Sequence, residues 1–251
     1  MLDLGSLLLL SLVAFMAAML SGTIGFGGGI ILLPVLSAYL GVAEAVPILT
    51  AVQIVSNFSR FMFSFREINW KLVRDFSLIA IPCTLIGGLM FVHLNQHYAM
   101  KAIGAILLIY VAAMAIGSKK NNGGQPADAN AGARSVGPWF RPTAGLVGFL
   151  SGLVGTAGPI GAAAYLSCNL APGAYIASDA ISSLLIHCSK LALYHSSLQL
   201  PERVWTTAAV LSLATMAGSL CGKLVTEKLS KKTFRSVALG ALTVAGVSLL
   251  V

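Results

Sequence analysis

The eleven residues LSGTIGFGGGI at Leu20 to Ile30 recur 130 positions later as LSGLVGTAGPI at Leu150 to Ile160. A duplicated Gly-rich break in apolar surroundings is the pattern of a transport protein built from two related membrane halves. The surroundings are decisive: 57% of residues are hydrophobic, 10% are charged and the mean hydropathy is +0.88. Such values lie outside the range of soluble domains and mark an integral membrane protein, and its apolar segments of up to about 20 residues make it all-α and polytopic.

The apolar segments lie near 4 to 21, 29 to 40, 44 to 65, 72 to 92 and 98 to 117, then near 143 to 154, 159 to 170, 174 to 196, 203 to 225 and 234 to 251. Five face five. This gives an N-terminal membrane repeat over 1–117, a flexible linker over 118–138 and a C-terminal repeat over 139–251. The linker is rich in Gly, Asn, Ala and Pro and has no apolar period. The N-terminus carries Asp3 and no Lys or Arg, so the first segment reads as structure and not as a cleaved leader. Cys83, Cys168, Cys188 and Cys221 fall singly in apolar stretches and read as small core residues.

Past the box, the same offset pairs Leu36 with Leu166, Asn57 with His187 and Arg60 with Lys190; a shift of five then pairs Trp70 with Trp205 and Gly87 with Gly222. Continuation into polar positions favours duplication over convergence on small residues. Basic residues accumulate in short cytoplasmic loops. That rule puts Arg60, Arg66, Lys71 and Arg74 inside, with Lys119, Lys120, Arg134 and Arg141, and with Lys223, Lys228, Lys231, Lys232 and Arg235, and leaves Lys101, Lys190 and Arg203 outside. The basic loop follows the third segment of the first half but the fourth of the second, so the halves are inverted and both termini are periplasmic.

For inversion to hold, the two Gly-rich segments of each half must leave and return on one side, as a hairpin. In the second half the arms of about 12 residues span roughly 18 Å, against about 30 Å of hydrocarbon. The hairpin over Gly152 to Pro159 is thus expected to be re-entrant, while the first arm of the first half is long enough to leave spanning open. At the tips, Gly25, Gly27, Gly28 and Gly29, and Gly155, Thr156 and Gly158, offer backbone amides at helix starts, which suit an anion. Helix packing through small residues is the competing reading. No strand precedes the glycines, so the context that a dinucleotide site needs is missing.

Polar side chains in lipid point to function or to buried pairing. Gln53, Asn57 and Arg60 stand on one face of the third segment; Ser183, His187 and Lys190 stand on the equivalent face in the second half, with Asp179 one turn before and Tyr194 one turn after. The cations suit an anionic substrate. His187, with an ordinary pKa near about 6.5, is the proton-coupling candidate together with Asp179. Snorkelling of Arg60 to the interface is the alternative.

The motifs SGTIGFGGGIILLP and SGLVGTAGP, with the long break between the halves, resemble the TauE/SafE family of membrane permeases, the sulfite exporters, over essentially the whole chain. The resemblance implies export or exchange of small sulfur-containing or carboxylate anions, such as sulfite or organosulfonates, across the bacterial inner membrane. The second box departs at Ala157 and Pro159, which replace two glycines. The expectation is a secondary transporter working by alternating access, with a passive anion or small-solute channel as the alternative. An enzyme would need a nucleophile with its base at membrane depth, which this chain lacks. No cofactor is expected. Partners are a small anion and membrane lipid, not nucleic acid; a homo-oligomer stays open.

Overall fold

Lipid offers backbone groups no hydrogen-bonding partner, so a chain this apolar can cross it only as helices or as a closed barrel. The computed structural model describes residues 3–24, 28–94, 139–166, 168, 170 and 172–225, with 98, 101 and 105. Among these every regular element is helical. In order they are α1 (Leu4–Ile24), α2 (Gly28–Leu40), α3 (Val42–Ser64), α4 (Trp70–His93), α5 (Phe140–Val154), α6 (Gly158–Leu166), α7 (Pro172–Ser197) and α8 (Glu202–Val225), with a single 3-10 turn at Phe65–Glu67. The segment expected at 234–251, the linker and both termini lie outside the described residues, and so does the segment expected at 98–117 apart from 98, 101 and 105.

Boundaries fall within a few residues of those expected, except that the seventh segment ends at Leu166 and not at 170. There Cys168 N–H turns back onto Tyr165 O at 3.1 Å, and Pro172 opens the next helix, a position where its missing N–H costs nothing. Five helices, α1, α3, α4, α7 and α8, are long and apolar enough to cross a membrane. By contrast α2, α5 and α6 hold 13, 15 and 9 residues, about 20, 22 and 14 Å of rise, short of about 30 Å of hydrocarbon. The outer faces match lipid: Leu8, Leu12, Leu78 and Leu213 are exposed, while Thr50, Thr84 and Ser178 are fully buried. Buried threonines answer their own hydroxyls locally, Thr50 to Val46 O and Thr84 to Ala80 O, both at 2.7 Å.

Two apolar cores form. One joins Leu10 of α1, Leu33 and Leu36 of α2, Leu49 of α3 and Leu211 of α8. The other joins Phe76 of α4, Phe140 and Val147 of α5, Tyr165 of α6 and Ile186 of α7. The division is reciprocal: α1, α2 and α3 close their core with α8, and α5, α6 and α7 close theirs with α4. Thus α1 packs on α8 and α4 on α5, while α3 and α7 meet each other between the cores. Glycines set the spacing of both crossed contacts. A Cβ on Gly87 would strike the backbone of Phe149 in α5, and one on Gly222 would strike the backbone of Met19 in α1. Gly87 and Gly222 are the pair matched by the shifted offset, and Phe149 and Met19 are 130 apart, so the two interfaces share one register.

Candidate functional site

The two cores leave a cavity between them, about 760 Å³ with the open space at its mouth included. Its floor comes from the breaks in the short helices. At the second break α5 stops at Gly155, whose φ of 93° is the left-handed conformation that favours glycine, with its N–H on Ser151 O at 3.0 Å. Three residues later Gly158 begins α6, and Thr156, Ala157 and Gly158 all line the cavity. Gly25 and Gly27 of the first box lie outside the described residues; the start of α2 contributes Gly28 and Gly29. Gly29 is a close approach: a Cβ there would lie 2.9 Å from Gln53 Cδ and 3.0 Å from Thr156 Oγ1. A side chain at position 29 would therefore occupy the place where groups from the two halves converge.

The walls are the polar stripes. Gln53, Asn57 and Arg60 of α3 face the cavity, and so do Asp179, Ser183 and His187 of α7. Asn57, Asp179 and His187 are 1, 4 and 4% exposed. Arg60 donates through Nη2 to Asn57 Oδ1, and Asp179 lies within electrostatic reach of Arg60. Two buried nitrogens on the lining have no hydrogen-bond partner among the described residues, Gln53 Nε2 and His187 Nδ1. A buried donor or acceptor left unmade costs about 1 to 3 kcal/mol, so these atoms mark where water or a bound group belongs.

Lys190 stands apart. It is fully buried and absent from the lining; its Nζ donates to Gly155 O at 2.7 Å, to Ser151 O at 3.3 Å and to Ser151 Oγ at 3.5 Å. Gly155 likewise lies behind the wall and not on it. Four small polar residues on the lining fall outside the sequence-based expectation: Ser21, Ser56, Ser151 and Thr215. For two of them the signal exists, since Ser21 and Ser151 are the same position of the repeated box. Among the described residues no three His, Cys, Asp or Glu side chains gather into a metal site.

Residues 10–249 match the protein family described as Sulfite exporter TauE/SafE. The chain belongs to the TauE/SafE family. TauE/SafE membership, with five helices fit to cross a bilayer, makes it an integral membrane permease of the sulfite-exporter class, a class of transporters and not of enzymes. Neither a curated protein nor a solved structure matches it at a significant level.

Proposed function

We propose that this TauE/SafE member is a secondary transporter that moves a small oxyanion, sulfite or an organosulfonate, outward by alternating access between two inverted repeats. The observation that carries the reading is the lining of the cavity, shared by Arg60, Gln53, His187 and Thr156, with Gln53 Nε2 and His187 Nδ1 buried and without a hydrogen-bond partner among the described residues. Oxyanions accept several hydrogen bonds at once, and in a site shielded from water charge-assisted bonds are the strong ones. The amides at the starts of α2 and α6 add partial positive charge. Asp179 opposes an anion, so loading is coupled to neutralising it, with His187 or Asp179 taking the proton. The α5–α6 pair acts as a re-entrant hairpin, its arms too short to span. Rocking of one core against the other about the α3–α7 contact would open the cavity to each side in turn.

Purified protein in liposomes is expected to carry labelled sulfite with saturation and to accelerate exchange when sulfite is present on both sides. Linear, unsaturable flux would replace the transporter with a channel. Inversion has its own test, because the exposed Glu67 and Pro201 sit in equivalent loops, α3–α4 and α7–α8. An impermeant thiol reagent is expected to label Glu67→Cys only from the cytoplasmic side and Pro201→Cys only from outside. Labelling of both from one side would make the repeats parallel.

A further inference from the structure

The two basic residues that the repeat pairs, Arg60 and Lys190, have separate tasks, and Lys190 is spent on the turn. The last four carbonyls of a helix lack partners within it. At the end of α5 two of them are answered from α7: Lys190 Nζ donates to Gly155 O and Tyr194 Oη donates to Gly152 O at 2.6 Å, while Ser151 O, which already accepts from Gly155 N–H, takes a second bond from Lys190. Lys190 and Tyr194 are four apart, on one face of α7, and both are fully buried. The ammonium sits at the negative end of the α5 dipole, which offsets its burial. Thr156, the next residue after Gly155, faces the cavity.

We infer that Lys190 and Tyr194 are positioning residues: they hold the α5 terminus and so fix where the Thr156 hydroxyl and the start of α6 meet the transported anion. The inference rests on the transport reading for its consequence, but not for its test. The chain has four cysteines; with these replaced by alanine, Thr156→Cys and Ser183→Cys each place a single thiol on the cavity. Loss of a charge-assisted hydrogen bond corresponds to about tenfold in an equilibrium. When Lys190→Met is added, the modification rate of the thiol at position 156 by a small reagent is expected to change about tenfold, while that of the thiol at position 183 stays within about twofold. Tyr194→Phe is expected to move the reactivity at position 156 in the same direction by less, and Lys190→Arg to return it close to the parent.

Unchanged reactivity at position 156 in the Lys190→Met background overturns the inference, and a fall in sulfite affinity alongside it would make Lys190 a direct anion ligand. Equal changes at positions 156 and 183 also overturn it, since they mean general loosening. Where Lys190→Met does not fold, Tyr194→Phe carries the same comparison. The thiol readout needs no transport, so a protein that carries no sulfite leaves this test standing.

Discussion

Gly148→Ala is expected to destabilise the protein strongly, while Gly145→Ala, one turn away on the same helix, leaves it unchanged or slightly stabilised. Both positions lie inside α5, where alanine gains about 1 kcal/mol of helix propensity over glycine. They differ in what a Cβ would meet. At Gly145 it lies 3.5 Å from Ile79 Cγ2 and 3.6 Å from Cys83 Sγ, ordinary contacts with side chains. At Gly148 it falls 2.8 Å from both the Cα and the carbonyl carbon of Ala80, which cannot move unless α4 moves. Gly152 and Gly87 continue the same seam against α4 and α5 backbone. Helices in lipid gain little from burying apolar surface against one another, so close backbone packing carries the association. Overpacking of this kind costs about 1 to 3 kcal/mol or more. In a protein of this size about 3 kcal/mol corresponds to a fall in Tm of roughly 10 °C, measurable in detergent by the unfolding of the purified protein. Gly222→Ala, which meets the Met19 backbone, should behave like Gly148→Ala. Equal Tm for Gly145→Ala and Gly148→Ala would remove close packing as the source of the α4–α5 contact.

Much of this architecture is visible in the residues, and the reasons differ from case to case. The Gly-rich boxes at Gly25–Gly29 and Gly155–Gly158 stand out because glycine clusters interrupt otherwise continuous apolar runs, and Gly155 does adopt a backbone angle that favours glycine. The stripes are legible because helical periodicity puts Gln53, Asn57 and Arg60, or Ser183 and His187, on one face whatever that face meets. Lys190 shows where periodicity runs out. The offset pairs it with Arg60, yet a long flexible side chain can carry its charge to either of two neighbours, and the nearby carbonyls of Ser151 and Gly155 take it. Exchange of the fourth helices between the cores is not legible, since a hydropathy pattern says which face is buried and not against which helix. The pairing of Gly87 with Gly222 holds the clue, because both glycines prove to be contact points of the crossed interfaces.

Arg60→Gln is expected to lower the transport efficiency for sulfite, kcat/KM, by at least about 100-fold, equivalent to about 2.7 kcal/mol. Among the described residues Arg60 is the one lysine or arginine on the cavity lining. A unit charge about 4 Å from an anion contributes about 4 kcal/mol at an effective dielectric of about 20, before the opposing effect of Asp179 is counted. Removing one member of a buried charge pair strands the other, however, and that alone costs about 3 to 5 kcal/mol. Asp179 is buried and feels the charge of Arg60, so loss of transport in the single variant would mix lost substrate attraction with damage to the fold. The double variant Arg60→Gln/Asp179→Asn separates them. It removes both charges, and it is expected to recover the melting temperature of the parent while transport stays low, since neutrality repairs the interior and does not replace the cation the anion needs. Arg60→Lys should retain part of the activity, because the charge stays while the planar fork that can hold an oxyanion and Asn57 together is lost. An arginine serving only as an interfacial anchor would give the opposite pattern: Arg60→Gln, Arg60→Lys and the double variant would all transport within about twofold of the parent.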